Sequence, residues 1–251
     1  MGSRKRLDTL VVEHGLADTR ARARALILAG QVRVGEEAAT KAGAAVPADA
    51  PITLVIPDHP YVGRGGVKLA HAIVAFGLHV RGRVAIDIGA STGGFTDALL
   101  RCGARKVAAL DVGRAQLAWK LRKDDRVVVL EGINARYLTP DRLPPAFRQA
   151  DLMTIDVSFI SVTKILPVVP AVVAPDGDII VLVKPQFEAG RPEVGKRGVV
   201  RDAAIQHRVV DQVAAASDRI GLTRVAMTAS PIVGAEGNRE FFLHLRPAKV
   251  G

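Results

Sequence analysis

The stretch Val84-Ala-Ile-Asp-Ile-Gly-Ala-Ser-Thr-Gly-Gly-Phe-Thr-Asp97 decides how most of this chain is to be read. An apolar run closes on an acid, a glycine-rich turn follows, and a helical pattern starts directly behind it. Gly89, Gly93 and Gly94 carry no Cβ, so the backbone there can turn sharply and come close to a ligand. A strand feeding a helix N-terminus is also where open α/β sheets bind ligands. Lys106-Val-Ala-Ala-Leu-Asp111 repeats the strand pattern and ends on a second acid. It lies about 20 residues beyond the loop, where a carboxylate can accept hydrogen bonds from both ribose hydroxyls of an adenosine cofactor.

Three chemistries compete for this loop. Its spacing departs from G-x-G-x-x-G, which disfavours a dinucleotide site. Gly89-Ala-Ser91-Thr-Gly93 matches the G-x-S-x-G elbow of α/β-hydrolases. Such an elbow follows several strands of its own sheet and an oxyanion loop, whereas the roughly eighty residues before it here form a different small unit. The favoured reading is an S-adenosylmethionine site: Asp87, then x-Gly89-x-x-x-Gly93, with Asp111 closing the next strand. Asp87, Gly89, Ser91 and Gly93 are then expected to line the methionine side, Asp111 the ribose, and Asn134, beyond a third strand, the adenine. A loop asparagine also serves as a turn former.

At 251 residues and 49% apolar, the chain can bury a full core in one or two domains. No apolar run reaches the roughly 18 residues of a membrane span, and Met1-Gly-Ser-Arg-Lys-Arg-Leu-Asp8 lacks a signal-peptide core, so a cytoplasmic protein is expected. The single Cys102 excludes an internal disulfide, and the six histidines fall into no ligand spacing, so no metal is expected. A net charge of +10 suggests a polyanionic partner. Only +1 of it falls in residues 1–60, so the amino-terminal part is not a basic tail.

That part has its own pattern. Leu7, Leu10 and Val11 recur at helical spacing before Gly15, and Asp18 or Thr19 caps a second helix that runs through Ala29 to Gly30. The β-branched runs Gln31–Gly35 and Ile52–Ile56 read as short strands. Arg4, Arg6, Arg20, Arg22, Arg24 and Arg33 would cover a broad basic surface, although a solvated helix face accounts for a charge cluster taken alone. The order Arg6-Leu-Asp-x-x-Leu, then Thr19-Arg-x-x-Ala-x-x-Leu-Ile-x-x-Gly-x-Val-x-Val-Gly35, resembles the S4 RNA-binding domain. The resemblance implies an α+β RNA-binding unit over residues 1–58, with Arg4, Arg6, Arg20, Arg22 and Arg24 toward RNA. A Pro- and Gly-rich linker is expected over 59–67, including Arg64 as a further RNA contact, and a second domain over 68–251.

Downstream, Val127–Leu130, Ala150–Asp156 and Asp178–Lys184 read as strands, with Val162–Val173 and Ala203–Ile220 as crossover helices. Leu222–Ser230 and Arg239–Leu245 are joined without a helix, so the final strand must run antiparallel to its predecessor. The expected fold is α/β, with a class I, Rossmann-like methyltransferase sheet behind the S4-like unit. Asp156 and Lys184 end parallel strands, Glu240 begins the terminal one, and Lys68 opens a helix over residues 68–76, where the helix dipole disfavours a cation. One such residue is commonly a solvated cap; four converging by topology point to chemistry.

The tetrad Lys68, Asp156, Lys184, Glu240 resembles that of the FtsJ-type ribose 2′-O-methyltransferases. Joined to an S4 unit, such a sheet resembles the TlyA family, often labelled haemolysin A. Tyr61-Val-x-Arg64-Gly-Gly-x-Lys68-Leu, Asp87–Asp97, Asp156-Val-Ser-Phe-Ile-Ser161, Val183-Lys-Pro-Gln-Phe-Glu188 and Gly237-Asn-x-Glu240 all agree with that family, and the match spans essentially the whole chain. The resemblance implies S-adenosylmethionine-dependent methylation of cytidine ribose in ribosomal RNA, within the small subunit and in some members also the large one. Lys184 is then the central residue, either accepting a proton or donating a hydrogen bond to the developing oxyanion. Lys68 and the two acids pull its protonation in opposite directions, so the choice stays open. Asp156-Val-Ser-Phe departs from the Asn/Asp-Pro-Pro-Tyr loop of base-amine methyltransferases, which weakens a base-methylating reading. The family label raises a membrane lysin as an alternative, disfavoured by the lack of a strongly amphipathic segment. An inactive binding protein is disfavoured by the complete tetrad. Residues 186–201, with Lys196 and Arg197 among glycines, are expected to form a mobile cationic loop that orders on the RNA phosphates.

Overall fold

In the computed structural model the described residues are 3–17, 19–28, 30–39, 41–54, 59–234 and 237–248. The chain opens with β1 (Arg4–Arg6), α1 (Leu7–Glu13), α2 (Arg20–Leu28), β2 (Val32–Val34), β3 (Glu37–Ala38), β4 (Ala45–Pro47) and β5 (Ile52–Leu54). Leu7, Leu10 and Val11 of α1 meet Ala23, Leu26 and Ile27 of α2 over Val32 and Ile52, a small core built by the helical spacing read above. The Thr19 hydroxyl accepts from the Arg22 amide at 3.1 Å, so threonine caps α2; Asp18 and Ala29 lie outside the described residues. β1 pairs antiparallel with β4. Its three residues are cationic and exposed, so no apolar alternation marked it as a strand.

The second unit runs α3 (Gly65–Ala75), β6 (Val84–Ile88), α4 (Gly94–Arg101), β7 (Lys106–Asp111), α5 (Trp119–Arg122), β8 (Val127–Glu131), β9 (Ala150–Ile155), β10 (Val173–Val183), α6 (Pro185–Glu188), α7 (Ala203–Asp218), β11 (Leu222–Ala229) and β12 (Phe241–Pro247). Its seven strands lie in the order β11-β12-β10-β9-β6-β7-β8. β6 to β10 are parallel, and β12 runs antiparallel between β10 and β11, as the missing crossover required. The chain moves outward from β6 to β8 and restarts at β9 on the other side of β6, which makes the β6/β9 boundary the switch point where such sheets open a crevice. Successive β6 residues alternate between the two faces. Val84, Ile86 and Ile88 enter one core with Leu166, Val169, Val210 and Val213, while Ala85 enters the other with Leu69, Phe95, Leu99 and Phe242.

Several boundaries differ from expectation, and β10 starts at Val173 instead of Asp178. Between β9 and β10 there is no α-helix over 162–173 but two 3₁₀ turns, Val162–Lys164 and Leu166–Ala171. Pro167 and Pro170 lack the N–H that a continuous helix needs. α3 begins at Gly65 with Arg64 as its N-cap, so the segment expected as linker already contains its first turn. Glu240 stands one residue before β12 instead of inside it.

Candidate active site

The loop after β6 is shaped by what its glycines leave out. Gly89 has φ 84°, and a Cβ there would overlap the carbonyl oxygen of Asp156 at the end of β9. Gly93, at φ 97°, caps α4, and a Cβ on Gly94 would stand 2.9 Å from the Gly66 amide nitrogen. The N-termini of α3 and α4 therefore lie backbone to backbone beside the loop. A cavity of about 190 Å³ opens here, lined by Gly63, Arg64, Lys68, Gly89, Ser91 and Asp156 among others.

The two acids behave differently. Asp111 accepts from the Ser91 amide at 2.8 Å and from the Gly113 amide at 2.7 Å while remaining partly exposed, so it fixes the loop and retains lone pairs at its edge. Asp87 is fully buried beneath the loop, where Thr96 and Thr154 hydroxyls donate to its two oxygens at 2.7 and 2.9 Å. It supports the cradle from below instead of lining it. Asn134 is exposed, and its side chain accepts from the Arg136 amide at 3.1 Å, which is the turn-forming use of a loop asparagine.

Burial pushes the Asp87 carboxyl up to about 7, against an ordinary value near 3.9. Between about pH 4 and 7 the folded state then holds a proton that the unfolded chain has released, so stability falls as the pH rises through that window. Asp87→Asn is expected to remove this slope, because the carboxamide can still bond both threonines without ever ionising. Urea unfolding of both proteins from pH 4 to 8 checks it, and identical slopes would contradict the assignment.

The tetrad forms two ion pairs. Lys184 Nζ lies 2.5 Å from Asp156 Oδ1, and Lys68 Nζ lies 2.5 Å from Glu240 Oε2. Glu240 and Lys184 are buried, and Lys68 and Asp156 line the same cavity as the glycine loop, so the four residues converge. One partner escaped sequence reasoning. Lys184 Nζ also donates to Ser158 Oγ at 2.8 Å, and the only sequence signal for it was a hydroxyl two residues beyond a strand-end acid. Next to it Phe159 is 92% exposed at φ 64°, with its ring centroid 5.3 Å from that of Phe187. Positive φ is rare for an aromatic residue and characteristic of functional loops.

The cations expected to meet RNA fall into three places. Arg6, Arg20 and Arg24 all bond the buried carboxylate of Asp8, at 2.9, 3.1 and 3.1 Å, and each stays half exposed. Hydrogen bonds from Arg6, then from Arg20 and Arg24, hold the Asp8 carboxyl well below the usual carboxylate range. One acid thus gathers three guanidinium groups from two elements, which the alternation of Arg20, Arg22 and Arg24 did not reveal. Arg22 is exposed nearby, and Arg4 donates to the Ala45 carbonyl at 2.5 Å. Arg64 stands exposed at the rim of the crevice. Residues 186–201 are more ordered than a bare loop, with 3₁₀ turns at Arg191–Glu193 and Lys196–Gly198 and the Val200 amide bonded to Asn238 Oδ1 at 3.0 Å. Lys196 is exposed there.

The FtsJ-like methyltransferase family matches residues 61–247, and the S4 domain family matches residues 5–52. The 16S/23S rRNA (cytidine-2'-O)-methyltransferase TlyA of Mycobacterium tuberculosis is 46% identical over 247 residues, covering 98% of this chain and 91% of its own. A solved structure of a Streptococcus thermophilus protein described as a hemolysin is 40% identical with a TM-score of 0.76, over 99% of this chain and 90% of that one. A Listeria monocytogenes protein described as an S-adenosylmethionine-dependent methyltransferase, 15% identical with a TM-score of 0.54 over 74% of this chain and 99% of its own, shares the fold of the second unit.

Proposed function

The chain belongs to the FtsJ-like methyltransferases that carry an amino-terminal S4 domain, and from that membership we propose that it methylates the 2′-hydroxyl of cytidine in ribosomal RNA, using S-adenosylmethionine. The observation that carries the reading is the meeting of two Lys–carboxylate pairs, each with one buried partner, with a glycine cradle at the switch point of the sheet. On that reading it acts on ribosomal subunits in the cytoplasm.

The residues suit the cofactor. Gly89 and Ser91 line the cavity, the bare Cα of Gly93 lets Leu117 and Leu121 pack beneath the turn, Asp111 offers carboxylate lone pairs to ribose hydroxyls, and Asn134 is assigned to the adenine. S-adenosylmethionine supplies a methyl group on a sulfonium. A ribose 2′-hydroxyl is a weak nucleophile, so the protein must align it in line with that methyl and stabilise the charge developing on oxygen. Lys184 is the group for this. An ammonium has three N–H donors; Ser158 accepts one and Asp156 pairs with the charge at 2.5 Å, which leaves donor capacity for the 2′-oxygen. Lys68, held by Glu240, adds positive charge beside it. Phe159 offers an exposed ring on which an unstacked base can lie.

Asp111→Ala is expected to weaken S-adenosylmethionine binding by about 1.5–3 kcal/mol, as for the loss of a charged hydrogen-bond partner. Calorimetry checks this, and unchanged affinity would move the ribose contact elsewhere. Reversing Lys196 and Arg197 to Glu is expected to weaken binding to ribosomal subunits and flatten its salt dependence while leaving cofactor affinity as it was. Normal binding across a salt titration would leave RNA docking to the amino-terminal unit. The reading as a whole is tested by incubating the protein with radiolabelled S-adenosylmethionine and separated small and large ribosomal subunits; label in the RNA of either supports it, and label in neither overturns it.

A further inference from the structure

Asp156, Ser158 and Phe159 sit on an irregular connection between β9 and the turn at Val162, and Phe159 holds an unfavourable φ there. Something must hold that connection against Lys184, which belongs to a different segment at the end of β10. The candidate is the last residue of α6, four positions after Lys184. Glu188 Oε2 accepts from Ser161 Oγ at 2.6 Å, and Glu188 Oε1 accepts from the Val162 amide at 2.7 Å. Ser161 Oγ accepts in turn from the Thr163 amide at 3.2 Å.

The structure assigns Glu188 and Ser161 as a positioning pair that clasps the segment carrying Asp156 and Ser158 to the segment carrying Lys184. Neither residue touches the reacting atoms. Both line a separate cavity of about 380 Å³ against Val209 and Val213 of α7, away from the crevice that Lys68 and Asp156 share. Glu188 is no solvated surface acid: burial pushes its carboxyl up, and the bonds from Ser161 and Val162 oppose that rise. This carboxylate, bonded among the described residues only to the neighbouring strand-end connection, fixes that connection's distance from α6. The Lys184–Asp156 separation of 2.5 Å and the Lys184–Ser158 separation of 2.8 Å are set across the same gap. A shift of about 1 Å there is enough to cost up to a hundredfold in rate.

This inference rests on the ribose-methylating reading, and its test separates the two. Glu188→Ala is expected to lower kcat by about tenfold to a hundredfold while KM for ribosomal subunits and cofactor affinity stay within about twofold. Glu188→Gln should restore most of the rate, because its carbonyl can accept from Val162 and its amide can donate to Ser161. Ser161→Ala should give a smaller loss that does not add to that of Glu188→Ala, since both break one clasp. It carries the test if the Glu188→Ala protein fails to fold. The Val162 amide resonance in a ¹⁵N-labelled sample reads the bond without reference to activity, and should move in the Glu188→Ala protein. Unchanged kcat in both alanine variants of an active enzyme overturns the inference, as does a loss that follows cofactor affinity and is not rescued by glutamine. An inactive wild-type protein would overturn the functional reading instead, leaving the Val162 resonance to decide whether the clasp exists.

Discussion

Replacing Lys184 with alanine is expected to lower methyl transfer by about a thousandfold while leaving S-adenosylmethionine affinity within a few fold. The size follows from what the side chain does. Lys184 is buried at the crevice and placed by its ion pair with Asp156 and its hydrogen bond to Ser158, so it is a preorganised donor in a site of low dielectric, where a donor to developing charge is worth far more than in water. The selectivity follows from where it is. The proposed cofactor cradle comprises the loop after β6 and Asp111, neither of which bonds Lys184 among the described residues. Single-turnover rates and calorimetry on the same preparation check both halves. Equal losses of rate and cofactor affinity would show that Lys184 acts through the cofactor.

Gly89→Ala is expected to cost about 3 kcal/mol of stability and to abolish cofactor binding. Two penalties add at this position: a non-glycine residue at φ 84° is strained, and the new methyl overlaps the Asp156 carbonyl oxygen. That oxygen lies one residue beyond Ile155, which pairs with Ile88 of β6, so relief requires the ends of the two strands to part at the switch point. Gly221→Ala is the control. It has φ 76° but nothing within 4 Å of the added carbon, so only the strain of about 1 kcal/mol applies. Urea unfolding of the two variants separates overlap from strain, and equal costs would mean that the close approach of loop and strand has no energetic role.

How much of this was legible in sequence depends on whether a residue's role is local. The parallel strands and their carboxyl-end residues could be read because continuous apolar runs and strand-end charges are written in consecutive positions, and Lys68, Asp156, Lys184 and Glu240 met because sheet topology brings strand ends to one edge. The β9–β10 crossover misled because apolar periodicity outweighed Pro167 and Pro170 in the reading but not in the chain. Asp8 stayed invisible as the hub for Arg6, Arg20 and Arg24 because a hub is a property of a strand and two helices packed together and not of any one of their sequences. Ser158 and Glu188 escaped for the same reason: their partners lie 26 residues away, across the gap between two strands. Asp87 was legible as a loop acid but not as a buried one, since Thr154, which closes it off, comes from a strand read for its apolar residues alone.

The central claim is that the methyl group goes to ribose oxygen and not to a base. The most direct measurement is complete nuclease digestion of ribosomal RNA methylated in vitro, followed by mass spectrometry of the nucleosides. A methyl group retained on the ribose fragment of cytidine, present with the wild-type protein and lost with Lys184→Ala, is the predicted result. A methyl group on the base fragment would contradict it, and would mean that Lys184, Asp156 and Ser158 serve a different acceptor.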